Sequence, residues 1–123
     1  RRQADRLAAS LHAAGIRKGD RVGIMLPNCP QYIISFWALM RLSAVVVNFN
    51  PLYTAREVEH QAKDSGIRMM ITLDSIAPMI LALKQDCGMD CVIATTLEEY
   101  SSFPERTPEL PPGSVSFVDM IGQ

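Results

Sequence analysis

Residues 45–66 combine a strand, a loop and a helix in one uninterrupted run. The run opens with three valines, which favour a β-strand, and passes through the turn Asn48-Phe49-Asn50-Pro51. Thr54 and Glu57 then stand at the spacing of a capping box, and Gly66 is a residue type that commonly ends a helix. A strand that leads through a short loop into a helix is half of a βαβ unit. This stretch therefore predicts a parallel sheet covered by helices.

The same alternation is repeated along most of the chain. Short apolar runs that predict strands occur at residues 21–26, 44–49, 68–73 and 91–95. Segments whose apolar residues have helical spacing lie between these runs. Another such segment lies before the first run, and its apolar face is formed by Ala4, Leu7, Ala8 and Leu11. We therefore predict an α/β fold with a parallel sheet of about four strands and helices on both faces, in Rossmann-like or flavodoxin-like layering.

Two of the predicted helices have a proline in their first turn, where its missing N–H costs nothing. Asn28 precedes Pro30 and is the candidate N-cap of the helix that runs to about Leu42. Asp74-Ser75 precedes Pro78 and offers the same chemistry for a later helix. We expect these polar side chains to cap the backbone N–H groups of the two helices.

The helix that begins near Pro30 is apolar around most of its circumference. Its large apolar residues are Ile33, Ile34, Phe36, Trp37, Leu39 and Met40. A helix of this composition is usually buried on more than one side. We expect it to lie between the sheet and a further element.

The character of the chain changes after the fourth apolar run. We interpret residues 1–96 as one α/β subdomain and residues 97–123, which contain four prolines, as a connection. Within that connection Val115–Ile121 is compatible with a short edge strand or a helical turn. The chain starts inside a predicted helix without Met or a signal peptide, so we expect it to be part of a longer polypeptide.

Composition excludes several classes of protein. The net charge of −1 gives no basic excess for nucleic acid, and the apolar runs are shorter than a membrane span requires. The cysteine count of 3 is odd and sparse, which favours a reducing compartment such as the cytoplasm. Cys87 and Cys91 lack further ligands nearby, so we interpret them as part-buried thiols and predict no metal site.

The motifs of common nucleotide and hydrolase sites are missing from the sequence. Gly15, Gly19 and Gly23 lie before and inside the first strand, where they make a turn and allow close packing rather than cradle a phosphate. Asp74 has no acidic partner for a magnesium site, and Glu98-Glu99 is interpreted as solvated charge. No Gly-x-Ser-x-Gly elbow is present. We therefore predict no catalytic residue in this chain.

Asn50 and Tyr53 are the two candidates for ligand contact. Both follow the second predicted strand, and open α/β sheets bind ligands at the carboxyl ends of their strands. A structural role in turn geometry and ring packing is the favoured interpretation of both residues.

Three stretches together resemble one enzyme family. They are GIRKGDRV at residues 15–22, IMLPN at residues 24–28 and NPLYT with the following Arg-Glu, Glu-His-Gln and Asp-Ser-Gly groups up to Gly66. The chain resembles AMP-forming acyl-CoA synthetases of the adenylate-forming superfamily, in particular the bacterial long-chain fatty acid–CoA ligase branch. The resemblance covers residues 1 to about 95 and is most specific over residues 20–66. One departure is Ser43, where relatives often carry glycine.

The resemblance implies a ligase that joins a fatty acid to coenzyme A through an acyl-adenylate, using ATP and Mg²⁺. It also implies that these residues belong to a larger N-terminal domain. The family's phosphate loop, its adenine- and ribose-binding motifs and its C-terminal lysine have no counterpart here. We therefore expect the 123-residue chain to bind none of these cofactors and to be inactive alone.

The resemblance leaves two alternatives open. One is a non-catalytic binding or interaction module on a ligase scaffold, and the other is an adenylating enzyme with a carrier-protein acceptor. Formation of a homodimer and association of a cytoplasmic protein with membranes are also left open.

Overall fold

The alternation of strands and helices extends over the whole described chain. A computed structural model of the protein describes residues 2–100 and 109–122. Its elements are α1 (Arg2–Ala13), β1 (Arg21–Met25), α2 (Pro30–Arg41), β2 (Val45–Asn48), α3 (Ala55–Ser65), β3 (Met69–Leu73), α4 (Ala77–Leu83), β4 (Cys91–Thr95), a short 3-10 helix (Leu97–Tyr100), β5 (Val115–Ser116) and α5 (Phe117–Ile121).

The five strands form one sheet in the order β2-β1-β3-β4-β5, and every neighbouring pair is parallel. The predicted parallel α/β fold is therefore confirmed, with one strand more than the four apolar runs indicate. The extra strand is β5, which has two residues and pairs with β4 at the edge of the sheet. Residues 115–121 contain both the edge strand and the helical turn that the sequence allowed.

Helices cover both faces of the sheet. On one face α1, α2 and α5 pack around a core that includes Leu7, Leu39 and Phe117. On the other face α3 and α4 pack around a second core that includes Val58 and Ile80. The central strands are apolar on both sides because both of their faces are buried.

The start and end of α3 follow the sequence prediction. The N–H of Glu57 donates to Thr54 Oγ1 at 3.3 Å, and the N–H of Thr54 donates to Glu57 Oε1 at 2.8 Å. This reciprocal pair is a capping box, and it satisfies backbone N–H groups that the first turn leaves free. Gly66 ends the helix with a φ of 69°, a left-handed conformation that costs little without a Cβ.

The predicted caps of α2 and α4 are wrong. Cys29, not Asn28, is the N-cap of α2, and Ile76, not Asp74 or Ser75, is the N-cap of α4. Neither N-cap residue makes a side-chain cap bond. Pro30 is the first residue of α2, so the N-cap is the residue just before it, Cys29. In α4, Pro78 is the second residue and removes one of the N–H groups that a capping side chain could bond.

The connection from α2 to β2 contains a residue in a conformation that favours glycine. Ser43 has a φ of 56°. The turn is fixed on both sides, because the N–H of Ser43 donates to Met40 C=O and the N–H of Gly19 donates to Ser43 C=O. Ser43 therefore occupies a left-handed turn position, where the glycine that the resemblance implies would be unstrained.

Arg68 ties together three elements at the amino ends of the strands. Its guanidinium contacts Asp20 Oδ2 at 2.9 Å and Asp90 Oδ2 at 2.7 Å, and it donates to Gly15 C=O at 3.0 Å. Asp20 directly precedes β1, Arg68 precedes β3 and Asp90 precedes β4, and Gly15 lies in the turn after α1. The contacts fix the edge of the sheet that lies opposite the strands' carboxyl ends.

Within residues 2–100 and 109–122, no helix has the length and apolar character needed to cross a bilayer.

Candidate functional site

The strand order shows where a ligand crevice is expected. The chain passes from β1 to β2 on one side and then returns to place β3 on the other side of β1. In open α/β sheets, ligands bind outside the carboxyl ends of the strands at such a reversal. The loops at this point are residues 26–29 after β1 and residues 74–76 after β3.

A side chain adds a hydrogen bond between β1 and β3 at the carboxyl ends of the two strands. Thr72 is fully buried, and its Oγ1 donates to Met25 C=O at 2.9 Å. Just beyond it, the N–H of Asp74 donates to Thr95 C=O at 2.8 Å and fastens the loop after β3 to the end of β4. The polar groups at the reversal therefore serve to join the strand ends.

Asn50 is committed to its own turn. Its Oδ1 accepts the N–H of Leu52 at 2.9 Å, and its backbone C=O accepts the N–H of Tyr53 at 3.0 Å. The side-chain acceptor that a ligand would use is thus part of an Asx-turn. Any role of Asn50 in substrate binding stays a prediction.

Tyr53 lies beside α3 and is partly buried against the second core. It lines a shallow groove of about 450 Å³ together with Arg56, Glu57, His60, Gln61 and Asp64. Two of the groove residues are already engaged: Glu57 in the capping box and Gln61, whose Nε2 donates to Asn48 C=O at 2.9 Å. The groove brings Tyr53 together with helix side chains but does not include Asn50.

A second cavity, of about 880 Å³, lies between the short 3-10 helix and the segment that leads to α5. It is lined by Gln3, Glu99, Tyr100, Leu110, Pro111, Pro112, Gly113, Ser114, Ser116, Val118 and Asp119. The carboxylates of Glu99 and Asp119 in this lining would favour a cationic or hydrogen-bond-donating occupant over an anion.

A buried polar cluster at the carboxyl end of β4 was missed by sequence reasoning. Gln31 is fully buried in α2, and its Nε2 donates to Thr96 C=O at 2.7 Å and to Thr95 Oγ1 at 3.2 Å. Thr95 Oγ1 in turn donates to Glu99 Oε1 at 2.6 Å. The cluster fixes the start of α2 to the end of β4.

The prediction that Glu99 is solvated charge is wrong. The N–H of Thr96 donates to Glu99 Oε1, and the N–H of Glu99 donates to Thr96 Oγ1, both at 3.2 Å. Thr96 and Glu99 thus form a capping box at the 3-10 helix. The Thr-x-x-Glu spacing is visible in the sequence, and it was the signal that could have identified this cap.

The ionisable side chains with altered pKa values do not form a reactive centre. Burial raises the pKa of the thiols of Cys87 and Cys91 and of the Tyr100 hydroxyl, so each is held in its neutral form. A neutral thiol is a poor nucleophile. Among the residues that the structure describes, no three His, Cys, Asp or Glu side chains gather where they could hold a metal ion.

Comparison with known proteins gives a family match over most of the chain. The family model described as "AMP-binding enzyme" matches residues 1–116. A long-chain-fatty-acid–CoA ligase of Bacillus subtilis (strain 168) is 41% identical over 101 residues, which are 82% of this chain and 18% of that protein. The chain therefore spans less than a fifth of this relative's length.

Two further relatives have names that refer to aromatic acids. A 4-coumarate–CoA ligase of Arabidopsis thaliana is 43% identical over 81 residues, which are 66% of this chain and 14% of that protein. The crystal structure of an anthranilate CoA ligase in complex with anthranoyl-AMP superimposes with a TM-score of 0.79 at 21% identity, covering 98% of this chain and 20% of that one. At that identity the likeness shows the shared fold.

Proposed function

The chain belongs to the AMP-binding enzyme family, and we propose that the longer protein of which it is part is an AMP-forming long-chain fatty acid–CoA ligase. The observation that carries the proposal is the 41% identity to the Bacillus ligase over 82% of the chain. A relative in Salmonella typhimurium, 38% identical over 76% of the chain, has the same name as the Bacillus protein.

The proposed reaction has two steps. The fatty acid carboxylate attacks the α-phosphorus of ATP, and pyrophosphate leaves while an acyl-adenylate forms. The thiol of coenzyme A then attacks the acyl carbon and loses its proton to solvent, and AMP leaves with the electrons of the broken acyl–oxygen bond. ATP, Mg²⁺ and coenzyme A are therefore the proposed partners of the full-length protein.

Within that protein, these residues act as a scaffold. Gln31 and Thr72 use buried hydrogen bonds to join α2 and the strand ends, and the described residues offer no metal cluster and no activated thiol. We therefore propose that the 123-residue chain neither binds the cofactors nor catalyses either step. The cytoplasmic location of the proposed ligase is supported by the three cysteines, which are all unpaired.

Thioester formation by the full-length protein tests the proposal. Fatty acids of several chain lengths are supplied with ATP, Mg²⁺ and coenzyme A, and acyl-CoA is measured. Preference for a long-chain acid over 4-coumarate supports the proposal. Preference for the aromatic acid would reassign the substrate, and no thioester from any acid would count against the ligase.

The identity of the thiol acceptor needs a separate arm of that experiment. Replacement of coenzyme A by a carrier protein with a phosphopantetheine arm distinguishes the proposed ligase from a carrier-protein ligase. Acylation of coenzyme A with no acylation of the carrier protein is the expected result. A protein that acylates neither acceptor and forms no adenylate would instead be a non-catalytic module on a ligase scaffold.

A further inference from the structure

Two polar atoms on the inner face of α2 are buried without a hydrogen-bond partner in the described part of the chain. They are Oε1 of Gln31 and Oγ of Ser35, and both residues are fully buried. Buried polar atoms in folded proteins nearly always have a partner, because an unpaired one loses its bonds to water without replacement. The two atoms therefore require a partner that the side chains around them do not supply.

The orientation of the Gln31 amide is fixed by its neighbours. Its Nε2 donates to Thr96 C=O at 2.7 Å and to Thr95 Oγ1 at 3.2 Å, which uses both of its hydrogens. Thr95 Oγ1 gives its own hydrogen to Glu99 Oε1 and therefore accepts from Gln31. If the amide were turned over, its oxygen would face Thr96 C=O and two acceptors would meet. Gln31 Oε1 is thus held as an acceptor that lacks a donor.

Ser35 lies one turn after Gln31, on the same buried face of α2. A serine within a helix often donates to the backbone C=O four residues before it, which here is that of Gln31. The Ser35 hydroxyl makes no such bond, and it does not bond the Gln31 amide directly. Residues at this spacing have Cβ atoms about 5–6 Å apart. That separation can be spanned by two hydrogen bonds through one water molecule.

The chemistry of the pair favours water over an ion. A water molecule can donate to the amide oxygen of Gln31 and accept from the hydroxyl of Ser35 at the same time. An anion would be repelled by the amide oxygen. A cation such as Ca²⁺ requires six or more oxygen ligands, and the described residues bring no three His, Cys, Asp or Glu side chains together. Folded proteins contain about one buried water per 27 residues, typically bonded to such unpaired groups.

We propose that one ordered water molecule binds between Gln31 Oε1 and Ser35 Oγ, where it donates to the amide oxygen and accepts from the hydroxyl. The water extends the buried cluster into one chain of hydrogen bonds, which runs from Ser35 in α2 through Gln31 and Thr95 to Glu99 in the 3-10 helix. Hydrogen bonds in such a chain polarise and strengthen one another. The site therefore couples α2 to the segment after β4, whatever reaction the longer protein catalyses.

A crystal structure of the full-length protein in which ordered waters are visible tests the site directly. We expect a single density peak within hydrogen-bond distance, about 2.7–3.2 Å, of both Gln31 Oε1 and Ser35 Oγ. A Ser35 hydroxyl that donates to the backbone C=O or to Oε1 of Gln31, with no peak between the two side chains, overturns the proposal. A peak with six oxygen neighbours would assign the site to a cation and also overturns it.

The variant Ser35→Ala separates a hydrated hydroxyl from a dry one by the sign of its effect on stability. If water is bound, alanine removes one of its two partners and leaves Gln31 Oε1 with a poorly held donor. We then expect the midpoint of thermal unfolding of the full-length protein to fall by a few degrees. If the hydroxyl is dry, alanine removes an unsatisfied polar group and the midpoint rises. A midpoint that rises or stays unchanged overturns the proposal.

Ala38→Ser in the full-length protein is the matched control. Ala38 is fully buried on the same face of the same helix, three residues after Ser35, and its new hydroxyl would lie outside the proposed site. We expect this variant to lower the midpoint of thermal unfolding, as a buried hydroxyl without a water partner should. Lower midpoints for both Ser35→Ala and Ala38→Ser support the site, because a hydroxyl then stabilises position 35 and destabilises position 38. A higher midpoint for Ser35→Ala with a lower one for Ala38→Ser shows two dry positions and overturns the proposal.

Discussion

The hydroxyl of Thr72 donates to the backbone C=O of Met25 at 2.9 Å, and both residues are fully buried. The bond spans β3 and β1 at the point where the strand order reverses. In a sheet of this order a ligand crevice is expected just outside these strand ends. The hydroxyl adds a side-chain hydrogen bond to the backbone ladder that already joins the two central strands.

Thr72→Val is expected to lower the free energy of unfolding by about 1–2 kcal/mol, because it removes the donor to a buried carbonyl while keeping the shape of the side chain. Urea denaturation of the 123-residue chain measures the change. Thr72→Ser keeps the hydroxyl and is the control, although it also loses a buried methyl group. A valine variant as stable as the parent chain would show that the bond contributes nothing.

Ser43→Gly is expected to raise the free energy of unfolding by about 1 kcal/mol. Ser43 has a φ of 56°, where a Cβ is strained and glycine is not. Denaturation midpoints in urea measure the gain. Ser43→Ala retains the Cβ and should give no gain, so equal stabilisation by alanine and glycine would contradict the strain.

Gly23→Ala is expected to destabilise the chain by about 1–3 kcal/mol through overpacking. A Cβ at this position would lie 2.8 Å from Met70 Sδ and 2.9 Å from Phe49 Cε1, and both side chains are buried. Thermal and urea unfolding measure the loss. The double variant Gly23→Ala/Met70→Val shortens one obstructing side chain and should lose less than the sum of the two single variants. If the stability losses of the two single variants simply add in the double variant, the contact with Met70 is not the cause of the overpacking.

Stability is expected to fall in acid through Asp20. The N–H of Arg17 and, after it, the Arg68 guanidinium lower the pKa of this carboxyl, against the opposing effect of its desolvation. A carboxyl whose pKa is lower in the folded state stabilises the fold above its unfolded pKa of about 4, and that contribution is lost as the pH falls through the folded pKa. The stability difference between the parent chain and Asp20→Asn should therefore be larger at pH 6 than near pH 2.

Urea denaturation at both pH values measures that difference. Added salt should reduce it at pH 6, because Asp20 and Arg68 are partly exposed and their attraction is screened. An unchanged difference between the two pH values would show that the ionisation of Asp20 does not contribute.

The sequence was sufficient for features that depend on local spacing. The capping box of Thr54 and Glu57, the left-handed Gly66 and the parallel sheet all depend on residues a few positions apart or on the alternation of strands and helices. The predicted cap at Asn28 failed because the helix starts at Pro30, which makes Cys29 the N-cap, and the predicted cap at Asp74 failed because that helix starts only at Ala77.

Contacts between distant parts of the chain were beyond sequence reasoning. Gln31 finds its partners 64 and 65 residues away, and nothing in its neighbourhood distinguishes it from a surface glutamine. The strand order is likewise set by how helices pack across the sheet, so the reversal between β1 and β3 could not be placed. The sequence predicted that α2 is apolar around most of its circumference, but it did not show that Ile33, Trp37 and Met40 are the residues left exposed to solvent.

ATP–pyrophosphate exchange in the presence of fatty acids, with the full-length protein and the 123-residue chain assayed side by side, tests whether the adenylation machinery lies outside these residues. We expect exchange that depends on fatty acid in the full-length protein and none in the 123-residue chain. Exchange catalysed by the 123-residue chain, or none by the full-length protein with acids of any length, would contradict it.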